Sequence, residues 1–112
     1  SYEFNAYINP DETMLIFSSF GRKDGLGGGD LYISHRVDDI WQKAENLGIG
    51  INTEKLDYCP FYDAPNKTLY WTSNVSTLKS IDSKQRNYNQ WYKLFTSGKN
   101  GQSKIYSIKF KP

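Results

Sequence analysis

The sequence predicts an all-β fold built from two copies of one antiparallel unit, the first four strands long and the second stopping after its third. Three observations carry this expectation. Short runs of Tyr, Phe, Ile, Leu and Trp are separated by Pro, Asp, Asn and Gly, one segment recurs at a fixed spacing, and the central strand of each copy is apolar on both faces.

The strands are expected near 3–8, 14–20, 31–36, 41–46, 56–62, 68–74 and 104–110, with no amphipathic helix among them. The first link, Asn9-Pro10-Asp11-Glu12, sets a proline that fixes φ beside residues that tolerate turn geometry, and Ala64-Pro65-Asn66-Lys67 does the same. Both read as hairpin connections.

The repeat is visible without gaps. Asn9 to Ser19, NPDETMLIFSS, lines up with Asp63 to Ser73, DAPNKTLYWTS, at a constant offset of 54, so that Leu15 matches Leu69, Phe17 matches Trp71 and Ser19 matches Ser73. The alignment runs backward through Phe4 with Tyr58, Tyr7 with Phe61 and Ile8 with Tyr62. Downstream the copies differ in length. Ser19 to Leu31 is 12 positions and Ser73 to its counterpart Ile105 is 32, which places an insertion at 75–102. The first unit is expected at about 3–47 and the second at about 56–110, within a single segment 1–112.

Met14-Leu15-Ile16-Phe17 and Leu69-Tyr70-Trp71 are unbroken apolar runs, so alternating side chains carry apolar groups to both faces of each sheet. Both faces then need cover. A β-propeller supplies it, because each blade packs between two neighbours. Two blades alone leave two faces bare, so the chain is expected either to be cut from a longer propeller or to complete one by self-association, three copies giving a ring of about six blades.

Composition narrows the function classes. The 112 residues include 16% aromatics, enough for an ordered core, and the net charge of +2 is too small to select a nucleic acid or an anionic membrane surface. One cysteine, Cys59, permits neither an internal disulfide nor a cysteine-rich zinc site. No apolar run is long enough to span a bilayer, and SYEFNAYINP lacks a basic segment followed by an apolar one, so a soluble, mature or trimmed chain is expected.

The residues PDETMLIFSS and PNKTLYWTSN resemble the PDGKTLYFSS hallmark of the WD40-like (PD40) repeat of TolB-type β-propellers. GLGGGDLYIS followed by WQKAENLGIGINTE resembles the stretch that joins successive blades in that family, and the likeness covers all but about 75–102. The hallmark glycine is replaced by Glu12 in one copy and Asn66 in the other, and Lys104 stands opposite Asp30 in the second copy. The resemblance implies a periplasmic or cell-surface bacterial protein. Its propeller would bind another protein or a glycan or other cell-envelope ligand as a scaffold, without a cofactor.

No catalytic constellation, metal set or cofactor motif is read from the residues. Gly25, Gly27, Gly28 and Gly29 lack the lysine and the following helix of a phosphate loop and suit a turn. His35 follows a strand without a recognisable nucleophile elbow, and Cys59 sits in an apolar strand, where a small buried hydrophobe is expected. Asp30, Asp38, Asp39 and Asp11 do not form a twelve-residue calcium loop and read as solvated turn carboxylates. The insertion holds Lys79, Lys84, Arg86, Lys93 and Lys99 against Asp82 alone, with Tyr88, Trp91, Tyr92 and Phe95 gathered late in it. Two readings stand side by side: a loop offering Trp91, Tyr92, Tyr88 and Arg86 to a ligand, or a hairpin extension whose aromatics cap the blade. The sequence therefore points to a non-enzymatic binding module. The alternative is the propeller portion of a carbohydrate-active or peptidase-like enzyme whose catalytic residues lie elsewhere.

Overall fold

The computed structural model describes residues 1–76, 87–96 and 102–112. These residues are predominantly β, arranged as two curled antiparallel sheets. Unit 1 comprises β1 (Tyr2–Ile8), β2 (Met14–Phe20), β3 (Asp30–Val37), β4 (Ile40–Trp41) and β5 (Glu45–Asn46). Unit 2 comprises β6 (Asp57–Asp63), β7 (Thr68–Ser73) and, after helix α1 (Tyr88–Thr96), β8 (Lys104–Lys109). The strand order is β1-β2-β3-β4 with β5 also on β3, and β6-β7-β8 in the second sheet.

The repeat holds to the level of register. Glu3 pairs with Ser19 and Ile8 with Leu15, and at the same offset Asp57 pairs with Ser73 and Tyr62 with Leu69. Both first strands carry a bulge, between Phe4 and Tyr7 and between Tyr58 and Phe61, and both bulges hold one left-handed residue, Asn5 at φ 48° and Cys59 at φ 50°. Cys59 is thereby turned out and exposed, which corrects the buried packing role expected of it: the bulge breaks the two-residue alternation that would have carried its side chain inward.

The fourth strand expected at 41–46 is two short strands. Val37 pairs with Ile40 and Arg36 with Trp41, but Ile33 pairs with Glu45 and Tyr32 with Asn46, a register one residue longer. The slack is taken up around Gln42, whose carbonyl accepts the Ser34 hydroxyl at 2.6 Å. The helix α1 was not expected at all.

The hairpin turns differ from the hallmark pattern as well. Glu12 takes the left-handed conformation at φ 57°, but in unit 2 it is Lys67, at φ 50°, and not Asn66. The four-residue turn in unit 2 closes through Lys67 N–H to the Ala64 carbonyl, one position later than Glu12 N–H to Asn9 in unit 1. A left-handed lysine is strained by about 1 kcal/mol. Lys67→Gly is therefore expected to stabilise the chain by about 0.5 kcal/mol after the entropy of glycine is counted, and Asn66→Gly to give no gain, in chemical denaturation of each variant.

The two sheets stack face on face with β6 lying over β1, β2 and β3. The core between them contains Met14, Ile16, Leu31 and Ile33 from unit 1, Tyr62, Leu69 and Trp71 from unit 2, and Ile51 from the connection. Strand alternation puts Ile16 on one face of unit 1 and Leu15 and Phe17 on the other. Leu69 and Trp71 are the repeat counterparts of Leu15 and Phe17, so opposite faces of the unit meet. The stacking is head to tail.

Candidate binding surface

The connection between the units is densely hydrogen-bonded. Gly27 passes so close to the 53–55 backbone that an added Cβ would fall on the Thr53 carbonyl and 2.5 Å from the Lys55 carbonyl oxygen, and the Gly28 N–H bonds the Lys55 carbonyl at 2.9 Å. The glycines therefore serve a close approach of two chain segments, with the amides of residues 26 and 27 turned onto Asp30. The Asp30 carboxyl, fully buried, accepts from the N–H groups of Leu26 and Gly27 and from Asn46 Nδ2 at 2.9 Å. That corrects its expected place as a solvated turn carboxylate: backbone donors replace water around it. Asn52, equally buried, clamps Leu31 by accepting from its N–H at 2.7 Å and donating to its carbonyl at 2.9 Å. Asp57, at the start of β6, accepts from both the N–H and the hydroxyl of Thr53.

Above Asp30 lies an aromatic and cationic cluster. Arg22 spreads its guanidinium over Tyr32 at 4.8 Å and Phe17 at 5.4 Å, and donates to Ser19 Oγ at 2.9 Å and Glu3 Oε1 at 3.2 Å. The Ser1 hydroxyl is the main influence holding the Glu3 carboxyl below its ordinary range; desolvation opposes it, and Ser19 and Arg22 add to it. Tyr32 is buried and donates to Asp24 Oδ1 at 2.9 Å. Burial raises its phenol above the ordinary value of 10.0, the Asn46 contact lowers it, and Asp24 raises it further. A raised folded-state value leaves stability intact below about pH 10 and removes it as pH climbs through the folded value. Chemical denaturation between pH 8 and 12 is thus expected to show an alkaline decline that is shallower in Tyr32→Phe, which itself loses about 1 kcal/mol at neutral pH.

In unit 2 the counterparts of Phe17, Tyr32, Ser19 and Glu3 are Trp71, Tyr106, Ser73 and Asp57. Trp71 and Tyr106 lie 6.1 Å apart with their rings tilted by 32° and, with Ser73, line a cleft of about 240 Å³. Among the described residues Trp71 Nε1, Tyr106 Oη and Asp57 Oδ1 have no hydrogen-bond partner. A larger cleft of about 510 Å³ lies between the hairpin turns of the two units, where Asn9, Asp11, Tyr62 and His35 meet. His35, expected to follow a strand, lies within β3 opposite Met14; it is exposed, and among the described residues no hydrogen bond reaches its ring. Asp38 and Asp39, at φ 50° and 62°, form the tight turn between β3 and β4. Among the described residues no group of three or more His, Cys, Asp or Glu is placed to hold a metal ion, and no helix is long and apolar enough to cross a membrane.

The residues singled out in the insertion fall on α1 or just before it. Arg86 lies outside the described residues. Trp91 belongs to α1, as do Tyr88 and Tyr92. Asn87 and Gln90 cap the helix reciprocally, each side chain accepting the other's backbone N–H, at 2.9 and 3.0 Å. Tyr88 and Tyr92, four residues apart, stack at 6.2 Å and are 79% and 59% exposed. Among the described residues no close backbone contact joins α1 to a strand. These two rings are consequently presented to solvent, not folded back as a cap on the sheet. Comparison with family models, curated proteins and solved structures finds no match to this chain.

Proposed function

We propose that the chain is a pair of β-propeller blades of the WD40-like, TolB-type repeat, acting without catalysis as a binding module for a protein or glycan ligand of the bacterial periplasm or cell surface. Two blades per chain make it part of a propeller of about six. The repeated register, the matched bulges and the head-to-tail stacking support the blade assignment, since each propeller blade packs its two different faces on its two neighbours.

The exposed, mutually stacked Tyr88 and Tyr92 carry the binding assignment. Tyrosine gives large contact area at small cost in side-chain entropy, and the Asn87–Gln90 cap holds the helix that displays it. Lys93, exposed beside them, adds a cation.

The test is equilibrium binding to purified peptidoglycan and to solubilised envelope proteins, with release of soluble fragments followed in the same samples. The wild-type protein is expected to be retained without releasing fragments. The Tyr88→Ala/Tyr92→Ala protein is expected to bind at least about tenfold more weakly, a loss of about 1.4 kcal/mol. Fragment release by the wild type, or equal retention of the two proteins, contradicts the assignment.

A further inference from the structure

We propose that the open face of unit 2 is the docking surface for the open face of unit 1 in a second copy of this chain. The seam within the chain buries one face of unit 1, and the residues at the same positions of unit 2 stand open. Ile16 and Leu31 are both 0% exposed, but their counterparts Tyr70 and Ile105 are 38% and 76% exposed; Phe61, the counterpart of Tyr7, is itself engaged edge-on with Tyr7 at 5.5 Å and does not belong to the open face.

The complementary face shows the same contrast. Tyr62 is 8% exposed and Leu69 0% in the seam; their unit 1 counterparts are Ile8, 47% exposed, and Leu15, half-buried. An open, largely apolar cleft of about 260 Å³ runs beside Leu15, Phe17, Phe4 and Ala6. The open part of unit 1 is its Ile8 and Leu15 end, since Arg22 covers Phe17 and Tyr32, and the open part of unit 2 is at Tyr70 and Ile105; each corresponds to positions that a unit of this same repeat covers in the seam. The fitting occupant is another such unit.

The contact is heterologous, because the two faces differ, and successive copies add head to tail until the ring closes. The closure rests on the blade reading proposed above: with two units per chain, three copies give the ring of about six blades, within the roughly four to eight that propellers use.

Two variants isolate the two faces. Ile105→Asp places a charge on the open face of unit 2 and Ile8→Asp places one on the open face of unit 1, both at exposed positions. Ile49→Asp, at a site 86% exposed and outside both faces, is the control. Molar mass by light scattering, with circular dichroism to confirm folding, is expected to give a multimer for the wild type and the control and a monomer for each face variant. Mixing the two face variants in equal amounts is expected to give a two-chain species, since one sound interface remains between them. If either variant fails to fold, the wild-type mass and the other variant still decide. A monomeric wild type, a multimer that a folded face variant leaves intact, or two folded face variants that stay monomeric when mixed overturns the proposal.

Discussion

Asp30→Ala is expected to lower the stability of the chain by about 4 kcal/mol. The Asp30 carboxyl collects three donors in a fully buried place, two of them backbone N–H groups of the glycine-rich loop. Truncation takes the acceptor from the Leu26 and Gly27 N–H groups, at a cost of about 1–2 kcal/mol each, leaves Asn46 Nδ2 only the Asp24 carbonyl at 3.2 Å, and opens a void where the buried carboxyl stood. The loop carries Gly27 and Gly28 against the connection to unit 2, so the loss spreads to the seam. Urea denaturation is expected to show the shift in midpoint, with Asp30→Asn losing about half as much because it keeps one acceptor oxygen. In a domain of this size, where total stability is about 5–15 kcal/mol, Asp30→Ala stands close to the limit of folding.

Leu69→Ala comes next, with an expected loss of about 3 kcal/mol. Leu69 is 0% exposed and sits in the core between the two sheets. Its removal forfeits the transfer energy of the deleted atoms and leaves a cavity that two stiff sheets cannot close. The counterpart change, Leu15→Ala, falls on the half-buried open face of unit 1 and is expected to lose less than half as much in the monomer. That contrast between equivalent positions is a direct consequence of head-to-tail stacking, and differential scanning calorimetry of the two variants reads it.

Much of this architecture was legible in the sequence because it rests on local rules. Pro10 and Pro65 mark their turns, the apolar runs mark β2 and β7, and the offset of 54 sets the second sheet in the register of the first. The lengthened second copy placed β8 correctly, with Ile105 as the counterpart of Leu31 and Lys104 opposite Asp30 in the repeat.

What escaped notice depends on long-range placement or on a weak local signal. The exposure of Cys59 follows from a bulge that no residue type announces, although Asn5, which tolerates left-handed geometry, stands at the same position in unit 1. The burial of Asp30 follows from amides that converge only after the loop has folded. The turn shift from Asn66 to Lys67 is a choice between two turn placements within one four-residue loop. α1 did have a signal: Asn87 and Gln90 have capping-box spacing, and Tyr88, Trp91, Tyr92 and Phe95 recur at intervals of three and four. Basic and polar residues interleave with these aromatics, so the amphipathic pattern is weak and the segment reads as an aromatic cluster.

Nuclear Overhauser contacts measured across the seam on methyl- and tryptophan-labelled protein test the head-to-tail stacking most directly. The account predicts contacts joining the Ile16, Leu31 and Ile33 side of unit 1 to Leu69 and Trp71. Contacts from Leu69 to Ile8 and Leu15 instead, or none across the seam, would mean that the two units do not stack head to tail.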